Sequence, residues 1–253
     1  MPEGPDPRED RTQSGTPTDV DKTFLHALGQ EAGTTAMTPS AVCRAAVRVL
    51  PVDATGLTTM LDDLRVPLGA SDAQGQLAEE IQSTLGAGPC LSAAQSKTSL
   101  SADLTELLER WPIYGHELIG RTPFRSAAAV PLRNAAGAVF ASLDLFAADP
   151  HLSSRLDLGA VERDVVPLMS TLMWPWVSEI AAVGLPRPAW YTRATERRWR
   201  VWVAAGMVMG AVGCDQDQAL GRLRAYAFSQ SVMLDDLADD LVSGRVPIGA
   251  LTA

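Results

Sequence analysis

The chain has 253 residues, a formal net charge of −9 and a mean hydropathy of +0.04, enough for one large or two modest domains with real cores. Three scattered cysteines (Cys43, Cys90, Cys214) and three isolated histidines (His26, His116, His151) argue against a disulfide scaffold or a metal site, so no cofactor is expected. The polar, Pro-rich start lacks the basic and apolar blocks of a signal peptide, and no apolar run is long enough to span a bilayer, so a reduced cytoplasmic setting without membrane contact is expected.

Residues 1–17 are polar and rich in Pro, Gly and Thr and are expected to be a disordered tail. Asp19–Ala32 is a helix with Phe24, Leu25 and Leu28 inward, and Ser40 caps a second helix through Val49. Ala54–Leu61 and Val66–Ala70 are strands on either side of the charged turn Asp62-Asp63, and Ala73–Leu85 is a helix. Leu85-Gly-Ala-Gly-Pro-Cys-Leu91 turns into a short helix ending at Gln95. Thr98–Leu100 is a short strand, and Leu104–Ile119 is helical with a break at Trp111-Pro112. Ser126–Arg133 and Ala138–Phe146 form a hairpin across Asn134–Gly137. Leu156–Val183 is a long helix interrupted at Pro167 and Pro175.

The last fifty residues hold three more helices. The first, Glu196–Val212, ends at Gly213 and carries no polar side chain from Val201 onward, so it is expected to pack on the preceding domain or on a second copy of the chain. The second, Gln216–Gln230, starts from a capping-box-like Asp215 and Gln218. The third, Leu234–Ser243, stops at Gly244 and Pro247. Leu234, Leu237, Ala238, Leu241 and Val242 form its apolar stripe, with Asp235, Asp236, Asp239 and Asp240 opposite. From Arg187 onward eight arginines face seven acidic residues, a net of +1 against −10 for the rest. The tail is therefore the part free of acidic excess, as a nucleic-acid reader in an acidic chain should be.

Strands, helices and a hairpin in this order give an α+β fold with an antiparallel sheet. Leu85-Gly-Ala-Gly-Pro-Cys-Leu91, Ser101-Ala-Asp103 followed by Trp111-Pro112, and Val130-Pro-Leu132 with Gly137 and Ala141-Ser-Leu-Asp-Leu145 resemble a GAF domain. Ala219-Leu-Gly-Arg-Leu-Arg-Ala-Tyr-Ala-Phe228 and Leu234-Asp-Asp-Leu-Ala-Asp-Asp-Leu-Val242 resemble the ANTAR domain. Together they resemble actinobacterial-type GAF–ANTAR regulators. The resemblance implies a GAF-like sensor domain over 18–185, an antiparallel sheet flanked by helices. A linker helix and three-helix ANTAR bundle would follow over 186–253.

That resemblance implies no enzyme activity. It implies transcription antitermination, with the bundle binding paired hairpin loops of a leader RNA, a small-molecule ligand in the GAF domain, and a homodimer. Two residues two apart on a helix point in nearly opposite directions, so Arg222 and Arg224 cannot both face one phosphate. The ANTAR pattern places an Arg where Arg224 stands, which makes Arg224 the foremost candidate for RNA contact, ahead of Arg222. Small residues Ala205, Gly206, Ala219 and Ala225 would let RNA approach, and Tyr226 could stack on a base. Gly206 inside an apolar helix costs about 1 kcal/mol relative to Ala, which suits either close approach or helix packing. Trp202 and Val203 stand where related sequences carry polar donors. Cys90 follows Gly88-Pro89 with no basic residue nearby in sequence, which favours a buried structural thiol. Arg197, Arg198 and Arg200 read as a solvated helix face, and Trp174, Trp176 and Trp190 as anchors between the domains. The competing readings are a ligand sensor or dimerisation scaffold without RNA binding, and a DNA-binding helix-turn-helix protein, for which four aspartates on the third helix are a poor recognition surface.

Overall fold

The computed structural model describes residues 19–32, 37–61, 64–183 and 193–251. The expected N-terminal tail, the Asp62-Asp63 turn, Trp190 and the domain boundary near 185 lie outside the described residues. In chain order the elements are α1 (Asp19–Ala32), α2 (Pro39–Val49), β1 (Ala54–Leu61), β2 (Leu64–Ala70), α3 (Ala73–Leu85), α4 (Pro89–Ser96), β3 (Leu100–Ala102), α5 (Leu104–Arg110), α6 (Pro112–Arg121), β4 (Ser126–Arg133), β5 (Val139–Ala147), α7 (Leu158–Ala160), α8 (Val166–Val183), α9 (Arg193–Val212), α10 (Gln216–Ser229) and α11 (Leu234–Val242).

Five strands form one antiparallel sheet in the order β2-β1-β5-β4-β3. Because side chains alternate along a strand, each strand feeds two layers. Leu57, Val130, Leu132, Leu143 and Leu145 meet Phe24, Leu28, Val42, Met169 and Met173 of α1, α2 and α8 in the main apolar core. On the opposite face Ala54, Ala127 and Phe146 meet Ala78, Ile81, Leu107, Tyr114 and Leu118 of α3, α5 and α6.

Local sequence explains most boundaries. Asp72 caps α3 by accepting from the backbone N of Gly75 at 2.7 Å. Asp103 and Glu106 form a reciprocal capping box on α5, and Asp103 also accepts from the backbone N of Ser153 at 2.9 Å. The β4–β5 turn is closed by Asn134, whose side-chain oxygen accepts from the backbone N of Ala136 and Ala138, both at 3.0 Å, with Gly137 at φ 79°.

Several expectations are corrected. Leu25 is exposed, because Phe24 and Leu28 already fill the inward face of α1. Thr38, not Ser40, caps α2, with Pro39 at its first position. The strand expected at Thr98–Leu100 lies at Leu100–Ala102. Pro167 does not break the long helix: a π turn at Val161–Val165 precedes it and α8 runs on through Pro175. Trp174 packs edge-on against Phe140, centroids 5.2 Å apart, and Trp176 packs on the main core, so both make contacts within the sheet domain.

The three C-terminal helices share their own core of Val201, Ala204, Val208, Leu220, Leu223, Leu234, Leu237 and Leu241, and dock on α3 and β2. The loop before α11 contributes to the docking contact. Met233 inserts into the apolar cluster of α3 and α6, and the backbone N of Leu234 donates to Thr84 Oγ1 at 3.1 Å. Among the described residues no helix is long and apolar enough to cross a membrane.

Candidate functional site: a buried polar cluster under the sheet

Between the apolar patches of the second sheet face lies a set of polar side chains that an apolar core does not require. β1 contributes Thr58, β2 Arg65, β5 Ser142 and Asp144, α3 Glu79 and Gln82, α4 Cys90, and α6 Tyr114. Thr58, Glu79, Gln82, Cys90, Tyr114, Ser142 and Asp144 are all buried. Register explains the gathering. Gly56 stands directly beside Asp144 across the β1–β5 pair, and the space a Gly56 side chain would take is filled by the Glu79 carboxyl. Gly88, at φ 137°, likewise leaves room for Gln82, whose Oε1 accepts from the backbone N of Cys90 at 3.1 Å.

Inside the cluster Thr58 donates to Glu79 Oε2 at 2.9 Å and Ser142 to Asp144 Oδ1 at 2.8 Å. Arg65 donates from Nη2 to Cys90 Sγ at 2.7 Å. The remaining oxygens, Glu79 Oε1 and Asp144 Oδ2, find no hydrogen-bond partner among the described residues, nor do the Tyr114 hydroxyl, Gln82 Nε2, or Nε and Nη1 of Arg65. Buried polar atoms are ordinarily paired, so a concentration of orphaned ones in one place marks a site built for something else.

The electrostatics follow from burial. Desolvation raises the Glu79 carboxyl well above its ordinary range, and the neighbouring Asp144 carboxylate pushes the same way. Burial also raises the Cys90 thiol, against the pull of Arg65, and the Tyr114 hydroxyl, which is close enough to Glu79, Asp144 and Cys90 to be raised further by their charges. Burial opposes the Arg65 charge, but Cys90, Asp144 and Glu79 outweigh it and hold the guanidinium protonated.

A cleft of about 700 Å³ opens beside the cluster, with Glu79 among its lining residues. Its walls carry Asp72, Glu80, Asp235, Asp236 and Asp239 against Arg44, Arg197 and Arg198. The aspartates of α11 are therefore paired with cations, and Asp235 is buried. Arg198 and Asp235 form a buried pair at 2.6 Å with side chains only 4% exposed. Arg197 pairs with Asp236 and Asp239, and Arg200 with Asp239 at 3.4 Å. The basic stretch of α9 is spent on α11.

The residues singled out for RNA contact do not share one face. Ala205 and Ala219 are buried in the three-helix core. Gly206 and Ala225 are exposed, and Tyr226 is half-buried. Arg222 is exposed and donates to the Leu251 carbonyl at 3.3 Å. Arg224 points the other way, into the junction with the sheet domain, where its Nε donates to the Ser83 carbonyl at 3.2 Å. Burial, then the nearby Arg65 and Arg198, lower its pKa. Helix α9, expected to need cover beyond its bundle, has it in part from β2, while Trp199, Val203 and Met207 stay exposed.

Arg65, Glu79, Gln82 and Asp144 did not stand out as site residues in the sequence. One signal was there: Ser142 and Asp144 interrupt an otherwise apolar strand whose every residue after Val139 is buried, and an aspartate in such a place needs a partner.

No family model and no curated protein matches the chain. Solved structures similar to it include the GAF domain of a phosphoenolpyruvate-protein phosphotransferase from Coxiella burnetii, 17% identical over 66% of this chain and 100% of that one, with a TM-score of 0.45. A protein from Burkholderia vietnamiensis described as a GAF sensor is 13% identical over 67% of this chain and 99% of that one, with a TM-score of 0.40. A type II free methionine-R-sulfoxide reductase from Thermoplasma acidophilum is 16% identical over 64% of this chain and 96% of that one, with a TM-score of 0.37.

Proposed function

We propose that this chain is a sensor-gated RNA-binding regulator: the buried polar cluster receives a signal, and the three C-terminal helices bind hairpin loops of a leader transcript. The observation that carries the gating is the position of α3. It supplies Glu79 and Gln82 to the cluster, and the next two residues, Ser83 and Thr84, hold Arg224 and Leu234 of the bundle. A change in how the cluster holds Glu79 or Gln82 shifts α3, and with it the docking contacts. Undocking would free Arg224, the foremost candidate for RNA contact, so the docked form is the closed state.

Support for the RNA half is the sequence resemblance of Ala219–Phe228 and Leu234–Val242 to ANTAR helices. The exposed Trp199, Val203 and Met207 on α9 suit a homodimer, which would present two bundles to two loops and gain by avidity. A second reading, a sensor or scaffold that dimerises without binding RNA, is favoured by one observation: Arg224 is already occupied by the Ser83 carbonyl inside the chain.

Binding of two-hairpin leader RNAs by the full chain, at two salt concentrations, separates the two. Under the RNA reading, Met233→Ala loosens the docking and tightens loop-dependent binding, and Arg224→Ala abolishes it. If neither the native chain nor Met233→Ala binds hairpin RNA while light scattering shows a dimer, the scaffold reading stands.

A further inference from the structure

We infer that Glu79, Cys90 and Asp144 form a binding site for a single divalent transition-metal cation of the zinc and iron(II) class. One carboxylate oxygen from Glu79, one from Asp144 and the Cys90 sulfur lie within 4.8 Å of one another, and all three residues are buried. Donors around one tetrahedral cation at ~2.0–2.3 Å stand roughly 3–4 Å apart, so a modest closing of the three side chains completes the set.

Two independent observations point to an occupant. Glu79 Oε1 and Asp144 Oδ2 are acceptor-only atoms in a carboxylate, both buried, and both without a donor among the described residues. Once a cation displaces their protons, two carboxylates and a thiolate beside the single guanidinium of Arg65 carry two negative charges in excess, which a divalent cation cancels. The donor set selects the class: a thiolate disfavours magnesium and calcium, and two carboxylates disfavour copper(I).

The supporting groups are of the kind that orient metal ligands. Thr58 fixes the other oxygen of Glu79, Ser142 the other oxygen of Asp144, and Arg65 contacts the sulfur. Gln82, through the backbone N of Cys90, pins the start of α4. The acid-lined cleft that reaches Glu79 gives a cation its way in. The sequence argued against a metal because its cysteines and histidines are scattered; the fold brings one cysteine to two carboxylates drawn from different elements.

The inference deepens the sensor reading, resting on it only for the use of the site, and metal binding is measured without RNA. The full chain, stripped with a chelator, is titrated with Co²⁺ and then with Zn²⁺ in competition. The expected result is one Co²⁺ per chain with a sulfur-to-cobalt charge-transfer band, displaced by Zn²⁺ and accompanied by a rise in Tm. The band is retained in a Cys43→Ser, Cys214→Ser double variant and absent in Cys90→Ser. In Asp144→Asn the affinity falls by at least about a hundredfold. Because the double variant keeps all three ligands, the test survives if Cys90→Ser fails to fold. A folded native chain that gives no charge-transfer band and no Tm rise overturns the proposal, as does a band that follows Cys43 or Cys214. Metal binding with no effect on hairpin RNA would leave the cation site standing and overturn its use as the signal that gates RNA binding.

Discussion

Gly56 and Glu79 occupy one space: a Cβ on Gly56 would lie 2.3 Å from Glu79 Oε1 and 2.6 Å from its Cγ. The glycine of β1 is thus the reason a carboxyl from α3 can lie against the sheet beside Asp144. Gly56→Ala must displace Glu79 from its hydrogen bond with Thr58. We expect a loss of about 1–3 kcal/mol in urea unfolding, together with loss of cobalt binding. An alanine variant of native stability would show that Glu79 is free to move and that the cluster is not held as described.

The Arg198–Asp235 pair predicts a contrast within one helix. Asp235→Ala leaves a buried guanidinium without its carboxylate and should cost about 3–5 kcal/mol. Asp236→Ala removes a partner that is 59% exposed and should cost about 0–1 kcal/mol. Chemical denaturation of the two variants side by side measures this, and equal losses would mean that the buried pair is not formed.

Met233 and Thr84 are two of the residues that hold the bundle on the sheet domain. Met233→Ala should cost about 2–5 kcal/mol by emptying its place between α3 and α6. Thr84→Val leaves the backbone N of Leu234 without its acceptor and should cost about 1–3 kcal/mol. Both should raise amide exchange in α10 and α11 more than in the sheet. Uniform exchange across the chain would argue against a detachable bundle.

The cluster also sets a pH dependence in the chelator-treated protein. Burial first, and then Asp144, raise the folded pKa of Glu79 above the ordinary 4.5. The folded state therefore binds this proton more tightly than the unfolded chain. The resulting stability is fully present below pH 4.5 and is lost as the pH rises through the folded value. Glu31 acts in the opposite sense. Its hydrogen bond with Arg44 leads the causes that lower its pKa, so its contribution is present above the ordinary value and lost on acidification through the folded one. The two are separated by subtraction. The urea midpoint of the native chain minus that of Glu79→Gln should fall as the pH rises from about 4.5 to 8. A flat difference would mean that Glu79 titrates normally and is not desolvated.

The elements were largely legible in the sequence because their causes are local. Asp72, Asp103 and Asp215 cap helices through backbone groups a turn away, and Asn134 closes a hairpin within four residues. The apolar runs of β4 and β5 and the stripe of α11 need no knowledge of the rest of the chain. Leu25 and Ser40 were misplaced because a neighbouring residue, Phe24 or Thr38, served the same end better.

What the sequence alone determined is therefore the order of elements, the antiparallel hairpin and the three C-terminal helices. Only the tertiary structure decided which polar residues meet. Thr58, Arg65, Glu79, Cys90 and Asp144 come from five elements, and their meeting depends on strand register, on a glycine opposite an aspartate and on how α3 lies across the sheet. The same holds for Arg224, which a helical period assigns to one side of α10. Whether that side faces solvent or the Ser83 carbonyl depends on the docking of the bundle, a contact between parts of the chain far apart in sequence.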